Sequence, residues 1–128
     1  INSLAQWAGI AALDLPDSYY AEIVGKYRSR RDLVLEILSR SGKLLMTCPE
    51  GAFYVFVGVA KALRPGEDSM GFCERLLEQE RVAAVPGTPF GDPDSIRVSF
   101  ATDENTLKEG CERLVRFAEK NSGTAAGP

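Results

Sequence analysis

A permanent cation sits inside the last apolar run of the chain. In Ile96-Arg97-Val98-Ser99-Phe100, strand alternation sends Ile96, Val98 and Phe100 to one face and Arg97, Ser99 and Ala101 to the other. Arg97 then lies outside the core, among small residues that leave room around it. A guanidinium held on a rigid strand is a good receptor for a carboxylate, because its planar fork donates two parallel charged hydrogen bonds. A strand arginine paired to a nearby Asp or Glu, or simply solvated, fits the same spacing. From these residues alone both remain open.

Two other stretches raise a chemical question. Pro86-Gly87-Thr88-Pro89-Phe90-Gly91 has the glycine content of a phosphate cradle. It matches one poorly, since Pro86 and Pro89 have no N–H to offer and no Lys-Ser/Thr follows Gly91. It reads better as a rigid connection between strands, with the wall of a ligand cleft as the alternative. In Pro49-Glu50-Gly51-Ala52-Phe53-Tyr54, Gly51 permits a turn or a close backbone approach. Phe53 and Tyr54 are then core or interface aromatics, or line a ligand. No pair of carboxylates stands out as a general acid and base. The chain has no histidine, which removes Ser-His-Asp and Cys-His catalysis and the commonest metal ligand. Cys48, Cys73 and Cys111 are far apart, odd in number and set among apolar neighbours. Buried free thiols of a reducing, cytoplasmic compartment are expected, rather than a disulfide or a zinc site.

The 128 residues suit one domain, and 45% hydrophobic residues are enough for a sizeable core. A net charge of −3 without a basic cluster argues against nucleic acid as the main partner. No apolar run reaches the roughly 18 residues of a membrane helix, and the first residues lack the basic-then-apolar pattern of a signal peptide. The chain opens at Ile1 inside a helical pattern, so a segment of something longer is expected. Residues 121–128 are small and polar and end in Gly-Pro, which predicts a disordered tail.

These residues need elements to position them. Residues 1–13 are helix-compatible, and Pro16, Asp17 and Ser18 supply stop and start signals. Tyr20, Ile23, Val24, Tyr27, Val34, Ile37 and Leu38 recur at helical spacing, opposite Lys26, Arg28, Arg30, Arg31 and Glu36. This long helix is expected to end near Ser41-Gly42, with glycine as a left-handed cap. Strands are predicted in residues 43–48, 52–59, 81–86 and 96–101. In the second, Phe53, Val55, Val57 and Val59 share a face opposite Tyr54 and Phe56. A third helix begins at Asp68 or Ser69. The last is capped by Thr102 and carries a stripe of Leu107, Cys111, Leu114, Val115 and Ala118. The order α, α, β, β, α, β, β, α, with a hairpin over residues 44–59, predicts a two-layer α+β domain: a small, mostly antiparallel sheet covered by helices. Residues 1–41 form linking helices and residues 42–120 the α+β domain.

The stretches PEGAFYVF, VAAVPGTPFGD and SIRVSFATDENTLKEGCERLVRFAE occur in that order. Together with the helical opening they resemble the C-terminal part of class I, fold-type I aminotransferases, which use pyridoxal 5′-phosphate. The flavour is that of the aspartate and prephenate aminotransferase branch, and the resemblance covers nearly all of the chain before the tail. It implies that Arg97 binds the α-carboxylate of an amino-acid or 2-oxo-acid substrate and that Phe53 lines the substrate cleft. It implies a homodimeric parent enzyme with no nucleic-acid or membrane partner. The family's cofactor-bonded lysine sits in a small, polar motif upstream of such a segment. None of Lys26, Lys43, Lys61, Lys108 and Lys120 has that context. The residues that hold the cofactor ring and phosphate belong to a large domain absent from these 128 residues. The resemblance therefore implies no catalytic or cofactor-binding residue in this chain, and no activity from it alone. Two alternatives stay open: the same domain of a pyridoxal-phosphate β-lyase, and a non-catalytic α+β module that binds a partner.

Overall fold

Four antiparallel strands, in the order β1-β2-β4-β3, carry the residues of interest. The computed structural model describes residues 1–120, and the expected tail at 121–128 lies outside the described residues. In chain order the elements are α1 (Ser3–Leu13), α2 (Asp17–Leu38), β1 (Leu45–Met46), β2 (Tyr54–Gly58), α3 (Ser69–Glu80), β3 (Val85–Pro86), β4 (Ser95–Ser99) and α4 (Glu104–Lys120). Short 3₁₀ turns cover Ala60–Ala62 and Thr88–Phe90. Helices packed against a small antiparallel sheet make the α+β class expected from the pattern.

The central pair is β2 and β4, in the register Tyr54↔Ser99, Val55↔Val98, Phe56↔Arg97 and Val57↔Ile96. Period-2 alternation divides it. Val55, Val57, Ile96 and Phe100 are buried with Val34, Ile37 and Leu38 of α2, Phe72 and Leu76 of α3, and Leu107, Leu114 and Phe117 of α4. Each such side chain contributes about 1.5–3 kcal/mol by leaving water. The Phe72 and Phe117 rings meet edge to face, centroids 5.1 Å apart, and tie α3 to α4.

Several expectations are corrected at this level. Strands β1 and β3 are two-residue bridges, because the pairing of β3 with β4 stops at Val85↔Arg97 and leaves residues 81–84 outside the ladder. Helix α2 ends at Leu38 with Ser39 as a right-handed cap, and Gly42 does not take positive φ. Only Val34, Ile37 and Leu38 of α2 are buried; Tyr20 and Val24, in its first half, are exposed. Helix α4 is capped by Asp103, not Thr102, since the Asp103 carboxylate accepts from the Thr106 N–H at 3.0 Å. Phe117 takes the buried place expected for Val115, which only packs against the core. Cys73 and Cys111 are buried, and burial pushes each thiol up to about 11. Cys48 is exposed, in the loop after β1. Among the described residues no helix is long and apolar enough to cross a membrane.

Candidate functional site

The second face of the sheet is aromatic. Tyr54 and Phe56 of β2 point away from the core, as alternation requires, and cross-strand pairing sets Phe56 opposite Arg97. Phe90 comes over from the Thr88–Phe90 turn and meets Phe56 edge to face, at 6.0 Å. The Arg97 guanidinium carbon lies 5.0 Å from the Tyr54 ring centroid and 5.0 Å from that of Phe90. Two ring quadrupoles thus hold one cation.

Among the described residues no carboxylate answers that cation. The ion pairs of the described residues join Lys26 to Glu22, Arg31 to Asp32, Arg40 to Glu36, Arg75 to Glu67, Arg113 to Glu109, and both Arg116 and Lys120 to Glu80. Arg97 takes part in none of them, and among the described residues no hydrogen bond engages its guanidinium. A half-buried, always-charged fork with its N–H donors unspent is matched by a planar anion. Of the alternatives open in the sequence, an Arg97 paired to a carboxylate is not found among the described residues.

Phe53 lies beside this group. Ala52 before it has a left-handed φ of 63°, and β2 begins only at Tyr54. Phe53 is 53% exposed, and its ring meets that of Tyr54 edge to face at 5.7 Å. It also borders a groove of about 390 Å³ with Tyr27, Arg28, Arg31 and Phe100. Tyr54 is therefore the residue that links Phe53 to Arg97. The sequence does not by itself group Tyr54, Phe56 and Phe90 as a set beside Arg97. Alternation places the first two on its face, but the turn that delivers Phe90 leaves no periodic signal.

The turn itself is closed to phosphate. The Gly87 N–H donates to Ser95 O at 2.8 Å, Phe90 N–H to Gly87 O at 2.7 Å, Gly91 N–H to Thr88 O at 3.0 Å and Asp92 N–H to Gly87 O at 3.2 Å. The Thr88 N–H goes to Ser69 Oγ at 3.1 Å, and Pro89 has no N–H. Every amide of the segment is spent inside the fold. No lysine stands by Arg97 either. Lys26 pairs with Glu22, Lys43 reaches the Ala118 and Glu119 carbonyls, Lys120 pairs with Glu80, and Lys61 and Lys108 are exposed on other elements. The residues of this chain do not by themselves fit a pyridoxal phosphate. Among the described residues no His/Cys/Asp/Glu cluster could hold a metal ion.

The fold is an antiparallel sheet backed by helices, and its open face sets one arginine among aromatic rings. The family model for aminotransferase class I and II matches residues 1–114, and the chain belongs to that family. The aspartate aminotransferase of Thermotoga maritima is 40% identical over 117 residues, which cover 91% of this chain and 28% of that protein. The aspartate/prephenate aminotransferase of Cereibacter sphaeroides is 35% identical over 124 residues, 90% and 30% of the two chains. Among solved structures, the aspartate aminotransferase of Rhizobium meliloti superposes with a TM-score of 0.81 at 38% identity, covering 92% of this chain and 31% of that one. An alanine aminotransferase from Pyrococcus furiosus gives a TM-score of 0.80 at 30% identity, covering 93% and 30%. The chain thus spans about 30% of the length of the relatives it matches.

Proposed function

We propose that these 128 residues are the C-terminal small domain of a pyridoxal-phosphate-dependent aminotransferase, in which Arg97 binds the α-carboxylate shared by the amino-acid and 2-oxo-acid substrates. The observation that carries this is the Arg97 guanidinium, held by Tyr54 and Phe90 and without an ion-pair partner among the described residues. Arg97 fixes one end of the substrate through two N–H donors, and the aromatic rings keep competing water off it. Phe53, one ring further along, lines the same cleft. The cofactor supplies the electron sink for chemistry at the substrate α-carbon, and the residues that hold it lie outside this chain. Residues 1–41 lead into the domain, with Val34, Ile37 and Leu38 already packed in its core, and residues 42–120 form it.

The relatives are named for aspartate, prephenate and alanine at comparable likeness. This part of the fold therefore supplies the shared carboxylate clamp and leaves side-chain choice to other parts of a homodimeric enzyme. A free-standing binding module is disfavoured by the match of residues 1–114 to the family.

Two outcomes test the proposal. The 128-residue chain alone, mixed with pyridoxal phosphate, an amino acid and a 2-oxo acid, transfers no amino group; measurable transfer contradicts the division of labour. In the longer enzyme, Arg97→Lys keeps the charge but loses the fork. The substrate KM then rises about tenfold or more, as expected for losing at least one charge-assisted hydrogen bond. An unchanged KM contradicts the role.

A further inference from the structure

We infer that Thr88 is a positioning residue for the carboxylate site: through Asp68 and Ser69 it latches the Thr88–Phe90 turn to the start of α3 and so holds Phe90 over Arg97. This rests on Arg97 being the carboxylate receptor. The Thr88 hydroxyl donates to Asp68 Oδ2 at 3.1 Å. The Ser69 and Thr88 hydroxyl oxygens are 2.8 Å apart, and Ser69 Oγ accepts the Thr88 N–H at 3.1 Å. Asp68 Oδ1 meanwhile accepts the Met70 and Gly71 N–H groups at 3.0 and 3.2 Å, as the α3 cap. The Gly71 N–H first, with the Thr88 hydroxyl among the lesser causes, holds the Asp68 carboxyl below its ordinary 3.8, so it is an ionised acceptor. Since Thr88 gives its one hydroxyl proton to Asp68, Ser69 gives its proton to Thr88 Oγ1. Ser69 is fully buried, which makes it a rigid anchor.

The latch is two residues from the ring it places. From Thr88 the turn closes through Pro89, whose ring fixes φ, to Phe90, whose N–H returns to Gly87 O. Phe90 is 54% exposed. Its ring meets Phe56 and Arg97, and the turn that carries it, closed by its own amide hydrogen bonds and latched at Thr88, sets where the ring sits. A guanidinium already ordered between two ring faces loses less freedom when a carboxylate arrives. A loose Phe90 therefore weakens binding and leaves the chemical step alone.

The test is steady-state kinetics of the longer enzyme with an amino-acid substrate. Thr88→Val is isosteric and keeps the backbone N–H to Ser69; it should raise KM about three- to tenfold with kcat within twofold. Thr88→Ser, which keeps the hydroxyl, should restore KM. Phe90→Leu should raise KM by a similar factor, and Thr88→Val combined with Phe90→Leu should be no worse than Phe90→Leu alone, because the latch acts through the ring. Effects that multiply in the double variant, or a wild-type KM in Thr88→Val beside a raised KM in Arg97→Lys, overturn the latch while sparing the carboxylate role. A wild-type KM in Arg97→Lys overturns both. Phe90→Leu is at an exposed turn position, so a wild-type KM there overturns the inference even if Thr88→Val does not fold.

Discussion

Arg97 and Arg75 show how one residue type takes two tasks. Arg75 is spent on structure. Its Nε donates to Glu67 Oε1 at 2.5 Å and Nη2 to Glu67 Oε2 at 2.7 Å, while its guanidinium carbon lies 4.9 Å from the Phe117 ring centroid. Both side chains of the pair are only 12% exposed. Arg97 has the aromatic company but, among the described residues, no carboxylate partner, which is what the proposed receptor role requires. The Arg75 hydrogen bond first, helped by the Arg64 N–H, holds the Glu67 carboxyl below its ordinary 4.5 despite its burial. A lowered folded-state value means that this stabilisation is complete above pH 4.5 and is lost as pH falls through the lower folded value. Glu67→Gln should therefore cost about 2 kcal/mol at pH 7. The gap to wild type should close as the pH drops below about 4.5, as read from unfolding midpoints across that range. A gap that does not change with pH would show that the ionised pair is not its source.

At the scale of elements, the turn between β3 and β4 carries the site's geometry, and Gly87 is its tightest point. A Cβ there would stand 2.3 Å from Asp92 O and 2.4 Å from Ser95 O, both backbone atoms that cannot step aside. Gly87→Ala should destabilise the fold by about 2 kcal/mol or more, measured by denaturant unfolding; a loss under about 0.5 kcal/mol would show that the turn is slack. The sequence made much of this level legible. Alternation in 54–58 and 95–99 divides core from open face, and the two-layer class follows from the order of elements. The structure departs from the sequence pattern where distant packing or local capping decides. The length of β3, the end of α2 and the choice of Asp103 over Thr102 each depend on which hydrogen bond wins locally. The latch of Thr88 to Asp68 and Ser69 joins residues about twenty positions apart and has no periodicity to betray it. Arg97 was visible as a charge out of place; its lack of a partner was visible only in three dimensions.

At the scale of the molecule, the packed body and the open surfaces divide the labour. Residues from Val34 onward supply the buried core, whereas α1 has no buried residue and exposes Trp7 at 72%. Apolar surface of that kind calls for cover, and in the proposed enzyme the large domain and the partner subunit would provide it. The aromatic face around Arg97 would then close one side of a cleft whose other side holds the cofactor. The central claim is that Arg97 recognises a carboxylate. Its most direct measurement compares, in the longer enzyme, kcat/KM for an amino acid and for the same amino acid with its α-carboxylate converted to a carboxamide. Wild type should prefer the carboxylate by about a hundredfold or more, and Arg97→Met should lose most of that preference by losing the carboxylate substrate. An undiminished preference in Arg97→Met would contradict the account.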